Sequence, residues 1–147
     1  MAQQKIAIEI PEKYKLKPAQ RVELADLIIE HIYDRSNRGL DKNGKPFPGY
    51  SKEYIDSLDF KIGGKSKNKV NLQLSGDMLA AITLLNHKKD RLVIGFEAGT
   101  EENAKAEGNI LGTYGQDAPI RGKKRDFLGL KAAKLRELLE YVTDGED

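Results

Sequence analysis

The stretch from Pro18 to Ser36 places the strongest constraint on what this chain can fold into. Val22, Ala25, Ile28, Ile29 and Ile32 recur at helical spacing, and Arg21, Glu23, Asp26 and Glu30 fill the other side. Pro18 falls in the first turn, where its missing N–H costs nothing, and Gly39 lies just past the end, where a helix stops. A long helix with one apolar stripe must cover something. The best candidates are segments that alternate with period two: Ile6, Ile8 and Ile10 before Pro11, and Leu92, Ile94 and Phe96 in the run Arg91 to Phe96.

The remaining elements are shorter. Ser51 to Leu58 reads as a short helix capped by Ser51, with Glu53 or Tyr54 in its first turn. Ser75 reads as the N-cap of a helix through Met78, Leu79, Ile82 and Leu85, with Asp77 in its first turn. His87 to Asp90 reads as a polar turn. Thr100 caps a short helix carrying Asn103, Ala104 and Ala106, and Asp126 opens a last helix through Leu139. Three polar loops, about 39–50, 61–69 and 108–122, and a frayed acidic end, 144–147, complete the reading. The expectation is one domain over residues 1–147 of α+β class: a small antiparallel sheet packed by one or two long helices.

Composition narrows the function. With no cysteine, disulfide frameworks, thiolate zinc sites and cysteine nucleophiles are excluded. Net charge is only +2, whereas a dedicated duplex-DNA binder usually carries a strong basic excess. The N-terminus lacks a signal-peptide apolar run and no stretch is long enough to span a bilayer, so a soluble protein made inside a cell is expected.

Catalytic patterns do not assemble. His31 and His87 lie in different segments without metal-ligand spacing, and read as helix-surface and turn residues. Asp41-Lys42-Asn43-Gly44 brings its glycine too early for a calcium loop and reads as a tight turn. Gly63-Gly64-Lys65-Ser66 lacks the earlier spaced glycine of a phosphate loop. Glu101, Glu102 and Glu107 fit a charged helix more simply than a carboxylate pair. No catalytic residue, cofactor or metal ligand is assigned.

Two basic clusters remain, Lys61–Lys69 (with Lys65, Lys67 and Lys69) and Arg121–Arg125 (with Arg121, Lys123 and Lys124). Either could touch phosphates through backbone charge. They support an alternative reading as a nucleic-acid-binding accessory protein.

Five marks occur in order between Arg35 and Leu130. The first is Arg35-Ser36-Asn37-Arg38-Gly39-Leu40-Asp41-Lys42-Asn43-Gly44 leading to Phe47-Pro48-Gly49-Tyr50-Ser51. Then come Leu72-Gln73-Leu74-Ser75-Gly76-Asp77-Met78-Leu79, Ile94-Gly95-Phe96, Ala104-Lys105-Ala106-Glu107-Gly108, and Arg125-Asp126-Phe127-Leu128-Gly129. Together they resemble the virion-morphogenesis, or tail-completion (head–tail joining), family of tailed phages and prophages. The chain departs from that pattern where Gly49 separates Pro48 from Tyr50 and where Ala106-Glu107 replaces the usual His-Gln.

The resemblance implies a non-enzymatic structural subunit of a virion, assembled in the host cytoplasm. It would form a homo-oligomeric ring, often hexameric, at the neck or head-proximal end of the tail. Its partners would be the connector, tail tube or terminator, with DNA passing through transiently and no membrane contact. On that reading the long loops order against neighbours, which costs roughly 1–2 kcal/mol per fixed residue. An interface of about 2,000 Å² could offset this. Phe47, Tyr50, Tyr54 and Tyr114 are then candidate interface anchors, and local packing of the loops is the competing role for the same aromatics. Lys65, Lys67, Lys69, Arg121, Lys123 and Lys124 are the candidate DNA-facing residues. Phe127 and Leu128 are expected in the core, fixing the last helix.

Overall fold

A computed structural model describes residues 2–47, 78–111 and 125–144. Strand β1 (Lys5–Glu9) leads through a single 3-10 turn, Glu12–Tyr14, into helix α1 (Pro18–Asn37). After the turn Leu79–Ala81 come the antiparallel strands β2 (Thr83–Lys88) and β3 (Arg91–Gly95), then helix α2 (Glu101–Leu111) and helix α3 (Ala132–Asp144). The sheet runs β1-β3-β2, antiparallel throughout. The α+β architecture read from the sequence is the one observed. No helix among the described residues is long and apolar enough to cross a membrane.

Register explains which side chains meet. Ile6 pairs with Ile94, Ile8 with Leu92, and Leu84 with Ile94, so these apolar residues share one face of the sheet. Helix α1 packs across that face, and its buried stripe is Leu24, Ala25, Ile28 and Ile32. Helix α3 packs on α1 and buries Leu138, Leu139 and Val142. The opposite sheet face carries Lys5, Ala7, Glu9, Asn86, Lys88, Arg91 and Val93. A Cβ on Gly95 would lie 2.3 Å from the Gln4 carbonyl oxygen, so the close pairing at the start of β1 requires glycine there.

Four local expectations are corrected. Met78 to Leu85 is not a helix: it makes one 3-10 turn and enters β2. His87 and Lys88 are strand residues, and the hairpin turn is only Lys89 and Asp90. Helix α2 runs through Gly108 to Leu111, so no loop begins at Gly108. The last helix starts at Ala132, not Asp126.

Where the chain matches expectation, the cause is local. The Thr100 hydroxyl accepts the Asn103 N–H at 3.1 Å, capping α2 as its position suggests. At the end of α1, Gly39 (φ 81°) donates to the Ser36 carbonyl at 3.0 Å, and Leu40 donates to the Arg35 carbonyl at 3.2 Å. This paired closure is the Schellman stop, which needs a left-handed residue where Gly39 stands.

Candidate functional site

The end of α1 is where the sequence marks converge. Beyond Gly39 the chain makes a compact finger. The Asp41 N–H donates to the Lys45 carbonyl at 2.7 Å, and the Asp41 carboxylate accepts the Asn43 and Lys45 N–H groups, each at 2.9 Å. Gly44, with φ 79°, supplies the turn. Leu40 bridges to Pro46, and the Phe47 N–H donates to the Gly39 carbonyl at 2.9 Å. Residues 39–47 are therefore ordered by their own chain, without a neighbour.

The segment Arg125–Leu130 docks on this finger and on α1. Arg35 reaches it from inside. Its side chain is 4% exposed, and its guanidinium donates to the carbonyls of Phe127 and Gly129, the latter at 2.7 Å. Burial pushes the guanidinium pKa down to about 10, opposed by the negative charges of Asp41 and Asp126, so Arg35 stays charged at neutral pH. Lys42 adds a backbone bond to the Asp126 carbonyl at 3.0 Å and an exposed ion pair to its carboxylate at 2.9 Å. A Cβ on Gly129 would come within 3.1 Å of the Lys42 side chain, so the glycine permits the close approach.

The other marks close the same assembly. Phe96 and Phe127 are fully buried and meet edge to face, with ring centroids 6.1 Å apart. In α2, the Asn109 carbonyl accepts the Arg125 N–H at 2.7 Å. Asn103, 1% exposed, accepts the Gln4 N–H at 2.7 Å and donates to the Ala2 carbonyl at 3.0 Å, tying α2 to the N-terminal segment. Met78 and Leu79 are buried in the same core. Every described piece of the five marks thus contributes to the framework: a buried apolar side chain, a glycine at a close approach, or a polar group holding backbone.

Among the candidate interface residues, Phe47 is placed in the core at 6% exposure. Its ring fills the domain's own interior, so of the two roles expected for it the interface anchor gives way to local packing. Tyr50, Tyr54, Tyr114, Lys65, Lys67, Lys69, Arg121, Lys123 and Lys124 lie outside the described residues, as does the expected helix from Ser51 to Leu58. Phe127 and Leu128 are buried, as expected.

The histidines stay apart. Burial, together with Arg35, Lys134 and Arg38, lowers the His31 pKa below its ordinary value. His87 Nδ1 accepts from Arg21 Nε at 3.0 Å. No group of three metal-ligating side chains occurs among the described residues. The residue that sequence reasoning missed is Arg35, although a signal existed. It continues the buried stripe of Ile28 and Ile32 at helical spacing, and a charged residue on such a stripe requires partners.

No family model, curated protein or solved structure matches the chain.

Proposed function

We propose that this chain is a structural virion-assembly subunit of the tail-completion type, acting at the head–tail junction by protein–protein binding. The observation that carries the reading is the ordered run of five marks from Arg35 to Leu130. A binding role also suits the chemistry of the described residues, where the buried side chains of Arg35, Asn103 and Asn109 bond to backbone and form no acid–base pair. The subunit forms a ring with copies of itself and contacts connector or tail proteins. Tyr50, Tyr54 and Tyr114 remain its candidate anchors, now without Phe47.

The test is location. Antibody-gold labelling of intact particles from the phage or prophage that encodes the chain should mark one position, the neck or upper tail. Label confined to the cell extract, with none on purified particles, would contradict the reading.

A further inference from the structure

The fold gathers positive charge at one end of the sheet from two distant stretches of sequence. Residues 9–21 and 87–91 are joined there. The Ile10 N–H donates to the Asp90 carbonyl at 2.8 Å, Arg21 Nε donates to His87, and an Arg21 terminal nitrogen donates to the Leu16 carbonyl at 3.0 Å. These two stretches hold seven Lys and Arg against three Asp and Glu, an excess of four. The whole chain is +2, so all the other residues together are net negative by two. The modest overall charge conceals a basic pole.

This charge is available. Lys15, Lys88, Lys89 and Arg91 are exposed, and none of them enters an ion pair with another described residue. Lys88 and Arg91 are cross-strand partners on the sheet face away from the core, with Lys89 in the turn between them. Lys15 is the one described non-glycine residue with positive φ (48°), a conformation that disfavours a side chain. It closes the 3-10 turn next to Leu16, whose carbonyl is held by the same Arg21 side chain that bonds His87.

We propose that this pole binds the phosphate backbone of duplex DNA, without reading sequence. Glu9, the partner of Arg91 on β1, offsets part of this charge, but seven cations held close to three carboxylates still repel one another, and a polyanion relieves that repulsion while releasing its own condensed counterions. Its residues are other than those of the Lys61–Lys69 and Arg121–Arg125 clusters. It does not depend on the assembly reading, since it is tested on the purified chain without particles.

The experiment is fluorescence anisotropy of a short labelled DNA duplex titrated with the full chain across a salt series. Neutralising about four phosphates gives a log–log salt slope of about −3.6, a loss of about 150-fold between 50 and 200 mM salt. The variant K15Q/K88Q/K89Q/R91Q changes only exposed side chains and should melt like the parent. It is expected to bind at least tenfold more weakly at low salt, with a flatter slope. The variant K65Q/K67Q/K69Q should keep most of the affinity. Three results would overturn the proposal: no binding by the parent at low salt, equal binding by the pole variant, or polyglutamate binding as tight as the duplex. The last would assign the pole to an acidic protein surface.

Discussion

Replacing Arg35 by alanine tests the physical account of the junction. Two donated hydrogen bonds from a charged, buried group would be lost, each worth about 1.5–3 kcal/mol, and the carbonyls of Phe127 and Gly129 would lose those donors. Removing the charge also ends its desolvation cost, including that of a buried Nε with no hydrogen-bond partner among the described residues. The balance is a destabilisation of about 2–4 kcal/mol. At about 2–4 °C per kcal/mol for a domain near this size, the melting temperature should fall by roughly 5–15 °C. Calorimetry or urea unfolding monitored by circular dichroism would measure it. Hydrogen exchange would localise it: the Arg125 and Lys42 amides, which bond to Asn109 and Asp126, should lose protection before those of β3. A loss below about 1 kcal/mol, or uniform loss of protection, would refute the claim that Arg35 holds the Arg125–Leu130 segment in place.

Phe47→Ala should cost about 3–5 kcal/mol, as for a large core side chain, and be seen as a lower urea midpoint in the isolated chain. Normal stability with failed assembly would restore its interface role. His31 titrates below its ordinary value of 6.5 in the fold, so its neutral form is favoured by folding. Its contribution is present above the unfolded pKa and is lost as pH falls from about 6.5 toward the folded value. His31→Gln should therefore flatten the dependence of stability on pH below about 6.5, and an unchanged slope across that window would contradict the assignment.

Elements built from local signals were legible in the sequence. The alternation of Ile6, Ile8 and Ile10, Pro18 at the helix start, Gly39 at its stop and Thr100 as a cap each report a local cause. Strand β2 was hidden because its ladder is irregular between Leu84 and Asn86. The bulge breaks period-two alternation and leaves adjacent leucines that mimic helical spacing. Its hairpin turn, Lys89-Asp90, lacks the glycine that usually marks a two-residue connection. Gly108 was misread as a loop because helix α2 uses it as a buried residue within the core side of its surface.

The delayed start of α3 is a tertiary effect. A helix beginning at Asp126 would turn the carbonyls of Phe127 and Gly129 to the N–H groups four residues on. Arg35 takes those carbonyls instead, and the first α3 bond runs from Leu135 to the Lys131 carbonyl. The basic pole was illegible for a related reason. Its two stretches are separated by more than sixty residues (Arg21 to His87) and meet through the β1–β3 pairing, the Ile10–Asp90 bond and the Arg21–His87 bond. The marks of the resemblance, by contrast, were visible as a string, although their framework role emerges only from their contacts.

The most direct test of the central proposal is electron microscopy of the particles made when this gene is deleted from its phage or prophage. The account predicts filled heads and separate tails that fail to join, or tails left incomplete at the head-proximal end, with joining restored by the intact chain supplied in trans. Normal, infectious virions from the deletion would contradict it.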